Sequence, residues 1–401
     1  MLTLGTVKDA ASVLSEVARK TDLILSKTLL EGHEIYLKSE NLQLTGSLKL
    51  RGAYYKISKL TDEQKARGII ACSAGNHAQG VALAAQKNNI KAAIFIPATA
   101  PISKVEATRK YGAEIMLIDG VYDDAYKAAC EYQKETNGEF IHPFNNEDVI
   151  AGQGTIGLEI LEQLRNVDSV IVPIGGGGLI SGIAFAIKQI KPDCKVYGVQ
   201  AQGAGSMYQS FLNKKILELP HVNTFADGTA VKKPGDLTFE LCMKYVDDIV
   251  TVTDDEIASA ILALMERQKL VAEGAGALSV AAAMFRKLPI ENKKTVCIVS
   301  GGNIDVNILS RVITRGLMMT GRNVNLTIEL VDKPGQLQQV SEIIARCGAN
   351  VVSVYYDHGD TNMAINSCFL KLALETRDSE QIEAIRRELA SEGFRVVTER
   401  V

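Results

Sequence analysis

The sequence predicts an α/β protein in two parts: doubly wound open parallel sheets over residues 1–321, then a short βαββαβ unit over 324–401. Two observations carry this. Continuous apolar runs alternate with helical patterns through the first part. After Gly321 the apolar residues begin to alternate with polar ones instead.

The elements follow in order. Ile69–Cys72 is an apolar run ahead of a helical stretch that begins near Asn76. Ala92–Pro97 is a second strand, followed by a helix over Ser103–Tyr111. Glu114–Ile118 is a third strand, with a helix after it through Glu131. Ser169–Ile174 and Thr295–Val299 are two more. Apolar runs without alternation, set between helices, belong to strands covered on both faces. The length suits two doubly wound units, with a smaller subdomain at about 50–150.

The tail has a different rhythm. Val324–Asp332 alternates as a half-exposed strand does, and Pro334-Gly335 punctuates it. Gln336–Arg346 has helical period, Val351–Tyr356 and Ala364–Leu374 are strands, Ser379–Leu389 is a helix and Phe394–Val397 a last strand. The order β-α-β-β-α-β is that of the ferredoxin-like split unit. The boundary falls near Gly321-Arg322-Asn323, where a glycine meets polar residues.

Bulk properties exclude several classes. Hydrophobic residues are 46% and charged residues 23% of the 401, as in ordinary globular chains. The net charge of -3 gives no electrostatic reason to expect nucleic acid or an anionic membrane as partner. No stretch approaches the ~20 apolar residues that span a bilayer. Met1–Gly5 lacks the basic and apolar regions of a signal peptide. The seven cysteines form no CxxC pair and are odd in number, which argues for small buried apolar residues in a reducing cytoplasm and against a disulfide framework or structural zinc.

Three glycine-containing segments stand near apolar strands. Gly175-Gly176-Gly177-Gly178-Leu179 directly follows the strand that ends at Ile174. Such a run leaves backbone N–H groups clear at a helix start, a phosphate site by geometry and dipole, or else a flexible tight turn. It carries neither a Walker Lys-Ser/Thr nor dinucleotide spacing. Thr45–Ala53 holds Lys49 just inside a helix start after Gly46-Ser47. A partly desolvated amine there is nucleophilic near neutral pH, whereas most lysines are solvated surface charges. Ser73–Gly80 offers Ser73, Ala74, the amides of Gly75 and Asn76, and the Asn76 side chain, which suit a carboxylate and a ring hydroxyl. His77 alone is unspecific, since a lone histidine is more often a satisfied structural residue.

Together these motifs are specific. SLKLRGA around Lys49, SAGNHAQG, GGGGL and Ser300-Gly301-Gly302-Asn303 resemble those of the fold-type II pyridoxal-phosphate enzymes, the tryptophan synthase β family. Within it the match is to threonine and serine dehydratases, from Leu14 to about Gly321. The tail, with Asp332-Lys333-Pro334-Gly335, resembles an ACT domain, and the order of the two is that of the shorter threonine ammonia-lyases.

The resemblance implies pyridoxal phosphate as cofactor and Lys49 as its Schiff-base lysine and as the base that takes the substrate Cα proton. Asn76 would bond the ring hydroxyl, Gly175, Gly176, Gly177, Gly178 and Leu179 the phosphate, and Ser300 the ring nitrogen. Ser73, Ala74, Gly75, Asn76 and His77 would face the substrate. A hydroxyl rather than a carboxylate at the ring nitrogen weakens the electron sink and favours β-elimination. L-threonine, or L-serine, would lose water and yield a 2-oxo acid (2-oxobutanoate from threonine) and ammonia. Alternatives are an L-serine or 3-hydroxyaspartate dehydratase, or a non-catalytic amino-acid sensor. Gly335, Gln336 and Leu337 would face an effector, isoleucine or valine, as in end-product control of isoleucine biosynthesis; otherwise the tail is a structural dimerisation module. The implied assembly is a homodimer or homotetramer.

Four departures from the family pattern matter. Leu48 replaces a phenylalanine beside the ring. Ala74 stands where serine racemases place a serine that protonates the opposite face, so racemisation is expected to be poor. Gln200, Ala204 and Ser206 lack the acidic ligands of a divalent-ion site, so no metal is expected. Glu273-Gly274-Ala275-Gly276 replaces a Glu-Pro segment.

Overall fold

The structure is a computed structural model and describes residues 2–358 and 365–397. The chain divides into two compact units, Met1–Ile308 and Leu309–Val401. This division lies ahead of the composition break at Gly321, because most of the helix Val306–Met319 falls with the second unit.

Among the described residues the first unit contains ten strands: β1 (Leu23–Ser26), β2 (Glu34–Ser39), β3 (Ile69–Cys72), β4 (Ala92–Pro97), β5 (Glu114–Ile118), β6 (Glu139–Phe140), β7 (Ser169–Pro173), β8 (Lys195–Ala201), β9 (Asp248–Val252) and β10 (Lys294–Val299). Six form one sheet in the order β1-β2-β10-β7-β8-β9, parallel except for β1. The other four form a parallel sheet in the order β5-β4-β3-β6. The crossovers in the order mark the doubly wound arrangement that the alternating pattern predicts.

β3, β4 and β7 are buried at every position, which is why they read as unbroken apolar runs. β5 is apolar too, yet it lies at a sheet edge and is half-exposed. β2 escaped detection because Glu34 and Lys38 interrupt its apolar residues. Lys38 is nevertheless fully buried.

Five helices of this unit bear on the site: α1 (Lys49–Ser58), α2 (Asn76–Lys87), α3 (Glu147–Gln163), α4 (Gly178–Ile190) and α5 (Gly274–Met284). A buried charge network fixes α1. Arg51 bonds Glu40 at 2.8 Å and Glu159 of α3 at 2.6 Å. Lys38 bonds Glu159 at 2.6 Å, and Thr21 donates to Glu40 at 2.6 Å. Charges this deep persist only when every partner is present.

The second unit holds β11 (Asn323–Val331), α6 (Gln336–Arg346), β12 (Asn350–Asp357), β13 (Ser367–Glu375), α7 (Ser379–Ser391) and β14 (Arg395–Val397). The sheet is antiparallel, in the order β12-β13-β11-β14. This is the ferredoxin-like arrangement that the βαββαβ pattern predicts. Cys368, Leu370, Leu372 and Leu374 alternate inward from β13 and pack with Val340, Ile343, Ile385 and Leu389 of the helices. Ala364, expected to begin this strand, lies outside the described residues.

All seven cysteines are free, five of them buried. Among the described residues no helix is long and apolar enough to cross a membrane.

Candidate active site

Lys49 is the first residue of α1. The segment before it is zipped to the loop after β10: the Leu48 N–H donates to Ser300 O at 3.1 Å, and the Gly302 N–H to Gly46 O at 2.9 Å. The Asn303 side chain completes the seam by donating to Thr45 O at 2.8 Å. Two motifs some 250 residues apart in sequence are therefore one structural feature. α2 packs so tightly behind Lys49 that only a glycine fits at Gly80, where a Cβ would lie 2.9 Å from the Lys49 carbonyl carbon.

The Lys49 amine donates to Pro143 O at 3.2 Å. Burial lowers its pKa to about 8, against an opposing pull from the Glu273 carboxylate. His77 and His142 stand near it as neutral groups. Burial, then the Lys49 charge, lowers His77 to about 3 and His142 to about 4. His77 Nε2 pairs with Ile141 O at 2.8 Å, and His142 Nδ1 accepts the Asn145 N–H at 2.8 Å. This bond holds His77 in the first turn of α2, next to Asn76.

Asn76 opens α2 and is oriented from both ends of its amide. Its Oδ1 accepts from Asn303 at 2.8 Å, and its Nδ2 donates to Glu273 Oε1 at 2.5 Å. A primary amide has two N–H donors, so this geometry leaves one for a further acceptor. Glu273 itself is raised to about 7 by burial, with the Asn76 bond acting the other way.

Gly175 to Gly177 link β7 to α4, and Gly177 caps the helix at φ +98°, a left-handed conformation that favours glycine. Among the described residues no group accepts from the N–H groups of Gly175, Gly176 and Gly177. The first amides of α4, at Gly178 and Leu179, have no partner within the helix either. The loop lies against Phe144: a Cβ on Gly178 would come within 2.9 Å of its Cα. The segment Pro143-Phe144 thus links the Lys49 amine to the glycine loop.

Ser300 is buried at the end of β10, and its hydroxyl donates to Ala275 O at 3.2 Å. That is long for an O–H···O bond and readily exchanged. Ser73 Oγ accepts the Gly75 N–H at 3.2 Å, and Gly75 leads into α2, whose first turn has no acidic residue.

Several groups escaped the sequence. Lys104 and Asp227 pair at 2.6 Å and line a pocket with Phe225, Glu273, Asn303 and Asp305. Asn303 stood inside a quoted motif, but nothing local marked Lys104, Asp227 or His142. Gln200 and Ser206 spend their side chains on backbone groups: Gln200 Oε1 accepts the Tyr208 N–H at 2.8 Å and Ser206 Oγ donates to Val231 O at 2.7 Å. Gly335, Gln336 and Leu337 belong to the second unit, at the start of α6.

Residues 14–301 match the family model described as pyridoxal-phosphate dependent enzyme. The chain belongs to that family. It is 50% identical over 398 residues to the L-threonine ammonia-lyase of Thermotoga maritima, covering 99% of each chain. The processed form of threonine deaminase isoform 2 from Solanum lycopersicum is structurally similar, with a TM-score of 0.75, 38% identity, and coverage of 78% of this chain and 88% of that one. Maize serine racemase is nearly as similar, with a TM-score of 0.74, 37% identity, and coverage of 79% and 98%. The fold therefore does not separate elimination from racemisation.

The residues fit the cofactor of this family. Unspent amides at a glycine-capped helix start suit its phosphate, and a half-buried amine of lowered pKa suits its carbonyl carbon. The Asn76 N–H left over suits its ring hydroxyl, and Ser300 suits its ring nitrogen.

Proposed function

We propose that this chain is an L-threonine ammonia-lyase that converts L-threonine to 2-oxobutanoate and ammonia, with Lys49 as anchor and base. The observation that carries the assignment of residues is the Lys49 amine. It is half-buried, its pKa is lowered by desolvation to about 8, and it is joined through Pro143-Phe144 to the glycine loop. The near full-length likeness to an L-threonine ammonia-lyase supports the choice of reaction.

Pyridoxal phosphate, when bound, supplies the electron sink that makes the substrate Cα proton acidic. Gly175, Gly176, Gly177, Gly178 and Leu179 hold its phosphate, Asn76 its ring hydroxyl and Ser300 its ring nitrogen. Ser73 and the amides of Gly75 and Asn76 receive the substrate carboxylate at the N-terminus of α2, where the helix dipole favours an anion. The Lys49 amine takes the Cα proton: at about 8, a useful fraction is unprotonated near neutral pH. Neutral His77 and His142 wall the site without adding charge beside it. Ala74 offers no proton to the opposite face, which favours elimination over inversion.

The remaining assignments extend this reading. Residues 1–321 are the catalytic region and 324–401 an ACT domain that binds isoleucine or valine near Gly335, Gln336 and Leu337. The open turn there supports this, with Gly335 at φ +95° ahead of α6. The protein works in the cytoplasm as a homodimer or homotetramer.

The deciding assay is purified protein with L-threonine. Formation of 2-oxobutanoate, abolished in Lys49→Ala, is the expected result. If only L-serine or 3-hydroxyaspartate is consumed, the substrate assignment fails. Comparison of kcat/KM separates threonine from serine, because one methyl group discriminates by only ~1–3 kcal/mol. Isothermal titration with isoleucine and valine tests the second unit, where an absence of heat and of any activity change removes the effector.

A further inference from the structure

The second unit carries a cluster of three side chains with metal-ligand chemistry that the proposed reaction does not use. Asp332, His358 and Cys368 each offer one ligand atom, and these atoms lie within 4.8 Å of one another. Sheet register brings them together. Cys368 of β13 pairs with Leu330 of β11, and Leu370 pairs with Tyr356 of β12. Side chains two residues apart share a face. Asp332 follows Leu330 by two and His358 follows Tyr356 by two. Asp332 and His358 lie one residue beyond the ends of β11 and β12, so the three ligand atoms converge at one end of the sheet, with the strand of Cys368 between the other two.

We propose that Asp332, His358 and Cys368 form a binding site for a borderline-soft divalent cation, zinc in the first place. Thiolate, imidazole and carboxylate are the donors such ions prefer. Zinc bonds of about 2.0–2.3 Å in a tetrahedron set ligand atoms roughly 3.3–3.8 Å apart. Closing the cluster from its present spacing takes about 1 Å. His358 and Asp332 can supply that movement, since their side chains are 55% and 56% exposed, while the buried Cys368 gives a fixed point. His358 Nδ1 already stands 3.8 Å from the Asp332 carboxylate. The Tyr356 ring lies nearly parallel to the imidazole, with centroids 6.1 Å apart. Three protein ligands leave the fourth position to water. On binding, the Cys368 thiol gives up its proton to solvent. The sequence expectation of no metal rested on Gln200, Ala204 and Ser206 and on cysteine spacing, neither of which registers a site assembled by strand pairing.

The test uses the reduced, full-length, cofactor-loaded protein. Zinc titration by calorimetry is expected to show about one ion per chain. Cobalt(II) in its place is expected to give a visible thiolate-ligated spectrum that Cys368→Ser removes. His358→Ala, at an exposed position, is expected to weaken zinc binding by at least the ~10–100-fold seen when groups outside the ligand set are lost. Cofactor absorbance and circular dichroism verify that each variant is folded. Should Cys368→Ser not fold, His358→Ala decides alone. No stoichiometric zinc binding, or zinc affinity unchanged in His358→Ala, overturns the site.

Discussion

Asn76 Nδ2 donates to Glu273 Oε1 across 2.5 Å, tying the first residue of α2 to the residue that precedes α5. Nearly two hundred residues separate them in the chain. The bond orients the amide proposed to meet the cofactor ring, and it places a half-buried carboxyl near the Lys49 amine.

Replacing this carboxyl by an amide, Glu273→Gln, should therefore do two things. Asn76 exchanges a charged acceptor for a neutral amide oxygen, and since charged bonds contribute ~1.5–3 and neutral ones ~0.5–1.5 kcal/mol, kcat/KM on L-threonine should fall by roughly five- to tenfold. Lys49 loses the anion that raises its pKa, so the acidic limb of the kcat–pH profile should move to lower pH. An unmoved limb would show that Glu273 is neutral when Lys49 acts.

Stability of the cofactor-free protein should also carry the mark of Glu273. Its folded pKa, raised from 4.5 to about 7, means that the folded chain keeps a proton that the unfolded chain releases. The stability from that proton is present below about pH 4.5 and is lost as pH rises through about 7. Thermal unfolding of Glu273→Gln against the parent protein should lose this part of the pH dependence.

Gly177→Ala should impair both folding and cofactor retention. A Cβ there would meet Met207 Cε at 2.7 Å and Thr238 Cβ at 2.8 Å, on a backbone with φ +98°. Left-handed strain of ~1–2 kcal/mol and overpacking of ~1–3 kcal/mol predict a loss of about 2–5 kcal/mol. Urea unfolding and cofactor titration would measure the two effects.

Arg51→Met should destabilise the first unit by ~3–5 kcal/mol, because Glu40, fully buried, is left without its cation. Adding Glu40→Gln should recover part of that loss. If the double variant is no more stable than the single one, the network is not held by charge.

Ala74→Ser tests the choice between elimination and inversion. A hydroxyl on that side supplies the missing proton donor, so conversion of L-serine to D-serine should rise relative to pyruvate formation. Chiral chromatography of the products reads the ratio.

Much of this was legible in the chain. The unbroken apolar runs of β3, β4 and β7 announced strands buried on both faces, and the four glycines after Ile174 announced a bare helix start. In β13 the alternation of Cys368, Leu370, Leu372 and Leu374 matched a sheet with one covered face. Local rules of this kind depend on side-chain periodicity and backbone freedom, which adjacent residues express by themselves. Lys38 shows where they fail: a lysine in a strand reads as exposed, and its burial is made tolerable by Glu159 and Gln163, from a helix far along the chain, together with the Thr21 carbonyl.

By itself, then, the sequence determined the two-part architecture, the family, and the lysine and glycine loop on which the proposed chemistry rests. Tertiary structure alone decided what those groups experience. It enclosed the Lys49 amine and lowered it to about 8, set Glu273 and Asn303 on either side of Asn76, and brought Asp332, His358 and Cys368 together at the end of a sheet. The reason is physical: desolvation and charge–charge attraction depend on distances between residues far apart in the chain, and those distances exist only once the strands have paired and the helices have packed.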